Sequence, residues 1–167
     1  MRKAALVLVV LALVAGCGAK PAEKTTQDVF AFTGKLIDGE PFDAASLAGK
    51  PALLWFWAPW CATCAGQAGS VQEVQQTYGD KLGVLGVAGM GSNAEMHEFV
   101  SDLEIPDVRA LDDEAGVVWR KFGVTQQSTY VLIDRSGTVV TNGYLDSADL
   151  PAKVKALWWA EGWWRWR

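Results

Sequence analysis

The sequence predicts an α/β protein in which strands alternate with helices and a hairpin and a last helix close the chain. Three observations predict it. Short continuous apolar runs, "PALLWFW" at Pro51–Trp57 and "LGVLGVA" at Leu82–Ala88, have the length and composition of buried strands. Between and after them, apolar residues recur at helical spacing. Turn and stop signals such as Asp38-Gly39, Pro106, Gly123 and "DRSG" at Asp134–Gly137 punctuate the series.

The elements follow in order. Phe30 to Ile37 alternates enough for paired strands or a hairpin, with Asp38-Gly39 as its turn. Pro51–Trp57 is the first buried strand. Cys61 to Tyr78 reads as a helix with Ala68, Val71, Val74 and Tyr78 on one face, and Leu82–Ala88 is the second buried strand. Ser92-Asn93-Ala94-Glu95 is a capping-box pattern, and Met96, Phe99, Val100 and Leu103 keep the i, i+3, i+4, i+7 spacing behind it until Pro106. Val108–Leu111 is a short strand, and Glu114–Phe122 is a helix stopped by Gly123. Thr129–Ile133 and Thr138–Thr141 are strands joined by a turn. Leu150, Val154, Leu157 and Trp158 make the last amphipathic helix.

Not all of the 167 residues belong to this domain. Arg2 and Lys3 precede a compact apolar run, "AALVLVVLALVA" at Ala4–Ala15, too short for a comfortable membrane span and shaped as a secretory signal. It ends in Val14-Ala15-Gly16-Cys17, which resembles a bacterial lipoprotein signal, where the cysteine is lipidated and becomes the new N-terminus. The expected layout is a signal peptide over residues 1–16, a polar tether over 17–28, one domain over 29–157, and a tail over 158–167. "WWAEGWWRWR" in that tail holds five of the nine tryptophans. Its bland reading is the end of a helix with a frayed terminus. Its sharper reading is contact with a lipid–water boundary, which suits Trp and Arg. The net charge of −4 with scattered basic residues speaks against a nucleic-acid surface. Three cysteines, Cys17, Cys61 and Cys64, are too few for a disulfide scaffold.

The chemistry concentrates in "WAPWCATCAGQAG", Trp57–Gly69. A Cys-x-x-Cys pair can be half of a zinc site, a structural disulfide or a redox pair. Zinc wants four ligands, and beyond Cys61 and Cys64 the chain offers His97, on the polar face of its helix, or Ser128. No metal and no other cofactor is expected. A structural disulfide closing so small a loop would constrain the unfolded chain little. The redox reading fits the position. Cys61 follows a strand and an Ala-Pro-Trp turn, so it falls at the first turn of a helix, where unpaired N–H groups and the dipole favour a thiolate. Cys64 lies one turn further in, placed to resolve a mixed disulfide.

"SLAGKPALLWFWAPWCATC" (Ser46–Cys64) and "FGVTQQSTYVLIDRSG" (Phe122–Gly137) resemble the TlpA/ResA/DsbE-like branch of the thioredoxin superfamily. "DEAGVVWRKFGV" (Asp113–Val124) is similar to actinobacterial exported DsbE-like proteins. The resemblance spans about Phe30 to Leu157. It implies a thioredoxin fold, a central mixed sheet flanked by helices, with an N-terminal β-hairpin extension and a central α/β insertion. It also implies extracytoplasmic thiol–disulfide exchange with Cys61 as nucleophile and Cys64 as resolving cysteine. Trp60, Ala62, Thr63, Gln67, Gln127 and Ser128 are the expected surroundings.

Three departures stand out. The family's cis-proline position holds Ser128, for which a trans bond is expected. The family's glutamate three residues after the second cysteine is Gln67, and the buried aspartate of thioredoxins is Trp55. Both expected proton carriers are therefore missing.

The expected partners are exported proteins with thiols or disulfides, a membrane redox partner and the membrane itself through Cys17, with the chain a monomer. Oxidation or isomerisation of secreted proteins is favoured on resemblance. Dedicated reduction, for instance of apocytochrome c thiols, stays open because the same residues run either direction. A metal-binding module using Cys61, Cys64 and His97 or Ser128 is the rival of another class.

Overall fold

The structure, a computed structural model, describes residues 26–159. The signal segment, Cys17, most of the tether and the tail beyond 159 lie outside the described residues. The described residues open with a helical turn, α1 (Thr26–Val29), which overlaps the last residues read as tether, and Val29 and Phe30 are buried.

Seven strands form one sheet in the order β2-β1-β5-β4-β3-β6-β7. The two apolar runs are its centre. In β3 (Ala52–Trp57) and β4 (Gly83–Ala88) every residue is buried, and the two pair in parallel. Burial on both faces is what a continuous apolar run encodes. β5 (Ala110–Asp112) pairs parallel to β4. β6 (Thr129–Ile133) pairs antiparallel with β3, and β7 (Val139–Gly143) antiparallel with β6. The expected hairpin is β1 (Thr33–Leu36) and β2 (Pro41–Asp43), with Gly39 at φ 90° in the turn, where glycine carries no steric penalty. It joins the sheet through β5.

Side-chain alternation along β3 splits the core in two. Leu53, Trp55 and Trp57 face α2 (Ala62–Tyr78), α3 (Asn93–Asp102) and α5 (Leu150–Trp159). Leu54 and Phe56 face Phe30, Leu47 and α4 (Val117–Lys121), whose Val118 and Trp119 are buried there. Trp158 finishes α5 by packing on Tyr78, with ring centroids 5.1 Å apart.

Several boundaries differ from the sequence expectation. The first strand starts at Thr33 rather than Phe30, because Phe30 is a core anchor ahead of the sheet. The third parallel strand is Ala110–Asp112, since Val108 still belongs to the loop. The last strand runs to Gly143. The helix expected from Glu114 begins only at Val117. Asp113 is buried, and its carboxylate accepts the backbone N–H groups of Val117, Val118 and Trp119 at 2.7, 2.9 and 2.9 Å. It takes three of the donors that a helix start leaves unpaired, so Glu114–Gly116 form the capping loop.

Candidate active site

β3 delivers the chain to the site. Its last residue, Trp57, leads into Ala58-Pro59-Trp60, and the Cys61 N–H closes this turn by donating to the Ala58 carbonyl at 3.1 Å. Cys61 is the N-cap of α2, with extended backbone at φ −91° and ψ 105°. Cys61 and Cys64 are joined by a disulfide. The Cys64 N–H donates to the Cys61 sulfur at 3.0 Å, so one orphan donor of the helix start already points at that atom. Cys61 retains 5% exposure and Cys64 has none.

The β3–β6 register brings the second part of the site. Phe56 pairs with Thr129, so the next step places Ser128 beside the turn that carries Cys61. The Ser128 hydroxyl oxygen lies 3.2 Å from each of the two sulfurs. No peptide bond among the described residues is cis, as expected for a serine at this position, and Ser128 instead takes a left-handed φ of 62°. Behind it, Gln67 is buried on α2. Its amide nitrogen donates to the Ser128 carbonyl at 3.4 Å, and its amide oxygen accepts the Trp55 indole N–H at 3.0 Å. The two positions where the resemblance led to an expectation of carboxylates therefore hold a neutral, hydrogen-bonded pair. Nearby on β6, the buried Tyr130 phenol is pushed well above the usual tyrosine range by burial, with Tyr144 adding to it. It stays protonated at neutral pH and is no base either.

The third part is a groove. Trp60, 57% exposed, donates its indole N–H to the Met90 carbonyl at 2.7 Å. Met90 is left-handed at φ 58°, and Gly91 next to it packs so closely on Pro59 that a side chain there would collide with the ring. The β4–α3 loop is thus clamped to the Pro59-Trp60 turn. Between that turn and α3 runs a groove of about 390 Å³ with Cys61 in its wall. Ala62, Ala65, Phe99 and Leu103 line it, and Glu95, Glu98 and Asp102 add carboxylates on the α3 side. Phe99 also stacks on Trp57 at 4.3 Å, and Trp57 on Trp55 at 5.7 Å.

Of the residues expected at the site, Cys61, Cys64, Ser128 and Gln67 converge through direct contacts, and Trp60 and Ala62 line the groove. Thr63 faces solvent, and Gln127 is half-buried beside Ser128. Cys17 lies outside the described residues. Two participants went unrecognised in the sequence. Trp55 was read as a missing aspartate, whereas its indole holds Gln67. Met90 carried no sequence signal, because its part is played by a backbone carbonyl. His97 is exposed and donates to the Ile37 carbonyl at 2.6 Å. Among the described residues no group of three ligating side chains could hold a metal ion.

A helix-capping CxxC disulfide on a sheet of this order defines a thioredoxin-like oxidoreductase site. The chain belongs to the Redoxin family, whose model matches residues 23–157. It is 32% identical over 155 residues to the soluble secreted antigen MPT53 of Mycobacterium tuberculosis, covering 90% of this chain and 88% of that one. Among solved structures it is similar to the DsbF of MTB in mixed oxidised and reduced forms, at 41% identity and TM-score 0.73, covering 77% and 96% of the two chains. A secreted Mycobacterium tuberculosis disulfide oxidoreductase homologous to E. coli DsbE follows at 34% and 0.70, covering 77% and 98%. The exposed lipoprotein thioredoxin Etrx1 of Streptococcus pneumoniae matches at 26% and 0.66, covering 75% and 98%.

Proposed function

We propose that this protein works outside the cytoplasm, held to the bacterial cell membrane by a lipidated Cys17, and exchanges electrons with cysteines of exported proteins through Cys61 and Cys64. The observation that carries the redox part is the disulfide at the N-cap of α2, with one sulfur in the wall of an open groove and the other buried. Relatives described as secreted or as an exposed lipoprotein support the location. Residues 1–16 are the removed signal and 17–28 the tether.

In the oxidising direction a substrate thiolate attacks the Cys61 sulfur. A substrate–Cys61 disulfide forms, the Cys61–Cys64 bond breaks, and Cys64 leaves as a thiolate that takes up a proton from water. A second substrate thiolate then attacks the substrate sulfur and releases Cys61 as a thiolate. Two electrons have passed from two substrate thiols to the pair. A membrane redox partner of higher reduction potential takes the two electrons and two protons from the pair and reoxidises it. Run backwards, the same steps reduce a substrate disulfide, with Cys61 attacking and Cys64 resolving. The groove beside Cys61 gives the substrate segment flanking the reacting cysteine a surface to lie on.

Alkylation of the reduced protein near neutral pH tests the assignment. Cys61 is labelled much faster than Cys64. Cys64→Ser accumulates mixed disulfides with exported proteins, and Cys61→Ser does not. Equal labelling of the two thiols would contradict it. Mass spectrometry of protein taken from membranes tests the anchor: diacylglycerol on Cys17 is expected, and a soluble mature form cleaved elsewhere would refute it.

A further inference from the structure

We infer that the Ser128 hydroxyl is a catalytic hydrogen-bond donor shared by the two sulfurs, holding negative charge on Cys61 in the reduced protein and on Cys64 as it leaves, and so making the pair more oxidising. This rests on the redox reading of Cys61–Cys64 above.

The donor assignment follows from the disulfide. Neither sulfur of a disulfide carries a hydrogen, so at 3.2 Å from both of them the Ser128 oxygen supplies the proton of either bond. One hydroxyl hydrogen faces two acceptors at the same distance, and rotation about one bond turns it from one to the other. Cys61 receives a second donor, the Cys64 N–H at 3.0 Å, and no second donor reaches the Cys64 sulfur among the described residues. Charge therefore rests more favourably on Cys61, while Ser128 still meets the charge that appears on Cys64 when the bond between them breaks. A hydrogen bond to a charged group is stronger than a neutral one, and Ser128 is 8% exposed, so water competes little for it.

Ser128 is held where this requires. A serine at φ 62° sits in a left-handed backbone region that non-glycine residues enter at a steric cost, and such residues cluster at functional sites. The surroundings fix it there: its carbonyl accepts from Gln67, and Gln67 is fixed in turn by Trp55. An amide at position 67 can donate to that carbonyl, which an ionised carboxylate cannot. The neutral Trp55–Gln67 pair is thus the support of the hydroxyl.

In the oxidising reaction the hydroxyl transfers no proton. It donates to the Cys64 sulfur as the substrate thiolate displaces it, and then to the Cys61 thiolate once that sulfur is released. Stabilising the thiolate form stabilises the reduced protein, which raises the reduction potential.

The test uses Ser128→Ala and Ser128→Gly in the full chain. Glycine accepts a positive φ without strain, so the second variant removes the hydroxyl while favouring the observed backbone. Thiolate absorbance against pH gives the acidity of Cys61, and equilibration with glutathione gives the potential. Loss of a hydrogen bond to a charged sulfur makes Cys61 about tenfold less acidic in both variants. A tenfold shift in the exchange equilibrium is about 30 mV toward more reducing values. Wild-type titration and potential in both variants would overturn the inference, as would a change confined to Ser128→Gly, which reports backbone strain alone. If the wild-type pair fails to exchange with glutathione at all, the redox reading itself falls, a result distinguishable from a working pair indifferent to Ser128.

Discussion

Gln67 answers the question its sequence position raises, but differently from how the residue alone suggests. Read beside Trp55, it marks two lost proton carriers. In the fold the two side chains bind one another, and Gln67 binds the Ser128 carbonyl. That pairing spans twelve residues on one side and sixty-one on the other, so no local pattern announces it. The CxxC at a helix start was legible because its chemistry depends on neighbours in sequence. The hydroxyl of Ser128 beside the sulfurs was legible only through the resemblance. Its left-handed backbone was not, because serine has no turn signal there. Among the described residues no carboxylate or histidine is hydrogen-bonded to the Cys64 sulfur, whose partners are Ser128 and Cys61. Cys64 has no exposed surface, so water reaches its thiol poorly, and the Ser128 hydroxyl beside its sulfur does not ionise in the useful range. Resolution by Cys64 is therefore slow near neutral pH and accelerates as pH rises. Gln67→Glu gives up the bond to the Ser128 carbonyl but supplies a base worth about 10²–10⁴-fold when well placed, a gain that exceeds the roughly tenfold carried by the hydroxyl, so it raises the resolving rate at neutral pH and flattens that dependence. Stopped-flow tryptophan fluorescence against a model disulfide reads both. An unchanged second phase would mean that the base is elsewhere or that none is needed.

α2 and α3 show how much of an element its own sequence dictates. α2 was expected from Cys61 and is observed from Ala62, with Cys61 as cap. α3 starts where the Ser92–Glu95 capping box placed it, with both reciprocal bonds present, because that motif is a local transaction. α4 was placed too early, because its start depends on the buried Asp113 carboxylate folding back on three amides, a geometry that the acidic run Asp112–Glu114 does not distinguish from an ordinary exposed first turn. The capping box has a pH signature. The Glu95 carboxyl is held below its ordinary range, first by the Ser92 side chain and then by the Ser92 backbone. A lowered folded pKa contributes stability above the unfolded value and loses it as pH falls through the folded one. Ser92→Ala therefore lowers the thermal midpoint at neutral pH and does so less in acid. An equal drop at both would leave the carboxylate with no part in it. Since α3 forms one wall of the groove beside Cys61, fraying of its start in this variant also loosens the surface offered to substrate.

At the scale of the molecule, the centre of the sheet was legible nearly to the residue, while its outer strands were legible in kind and not in their bounds. β3, β4 and β6 are buried on both faces and announce themselves by composition, whereas β5 and the hairpin strands are three or four residues long and take their bounds from their partners. The sheet order sets Ser128, the residue just ahead of β6, against the turn leaving β3, which is why residues 61, 64 and 128 meet. Membrane attachment belongs to the same scale. If the Trp-rich tail adds contact to the proposed lipid anchor, protein without lipid binds anionic vesicles, and deletion of Trp163–Arg167 abolishes it. Equal binding by both forms would give the tail another role. The most direct measurement is the redox equilibrium of the Cys61–Cys64 pair with glutathione, followed by tryptophan fluorescence. A reversible two-electron transition is expected, with a midpoint above the roughly −270 mV of thioredoxin, since hydrogen bonds to the thiolate stabilise the reduced form. Absence of a transition, or a midpoint at or below that value, would contradict it.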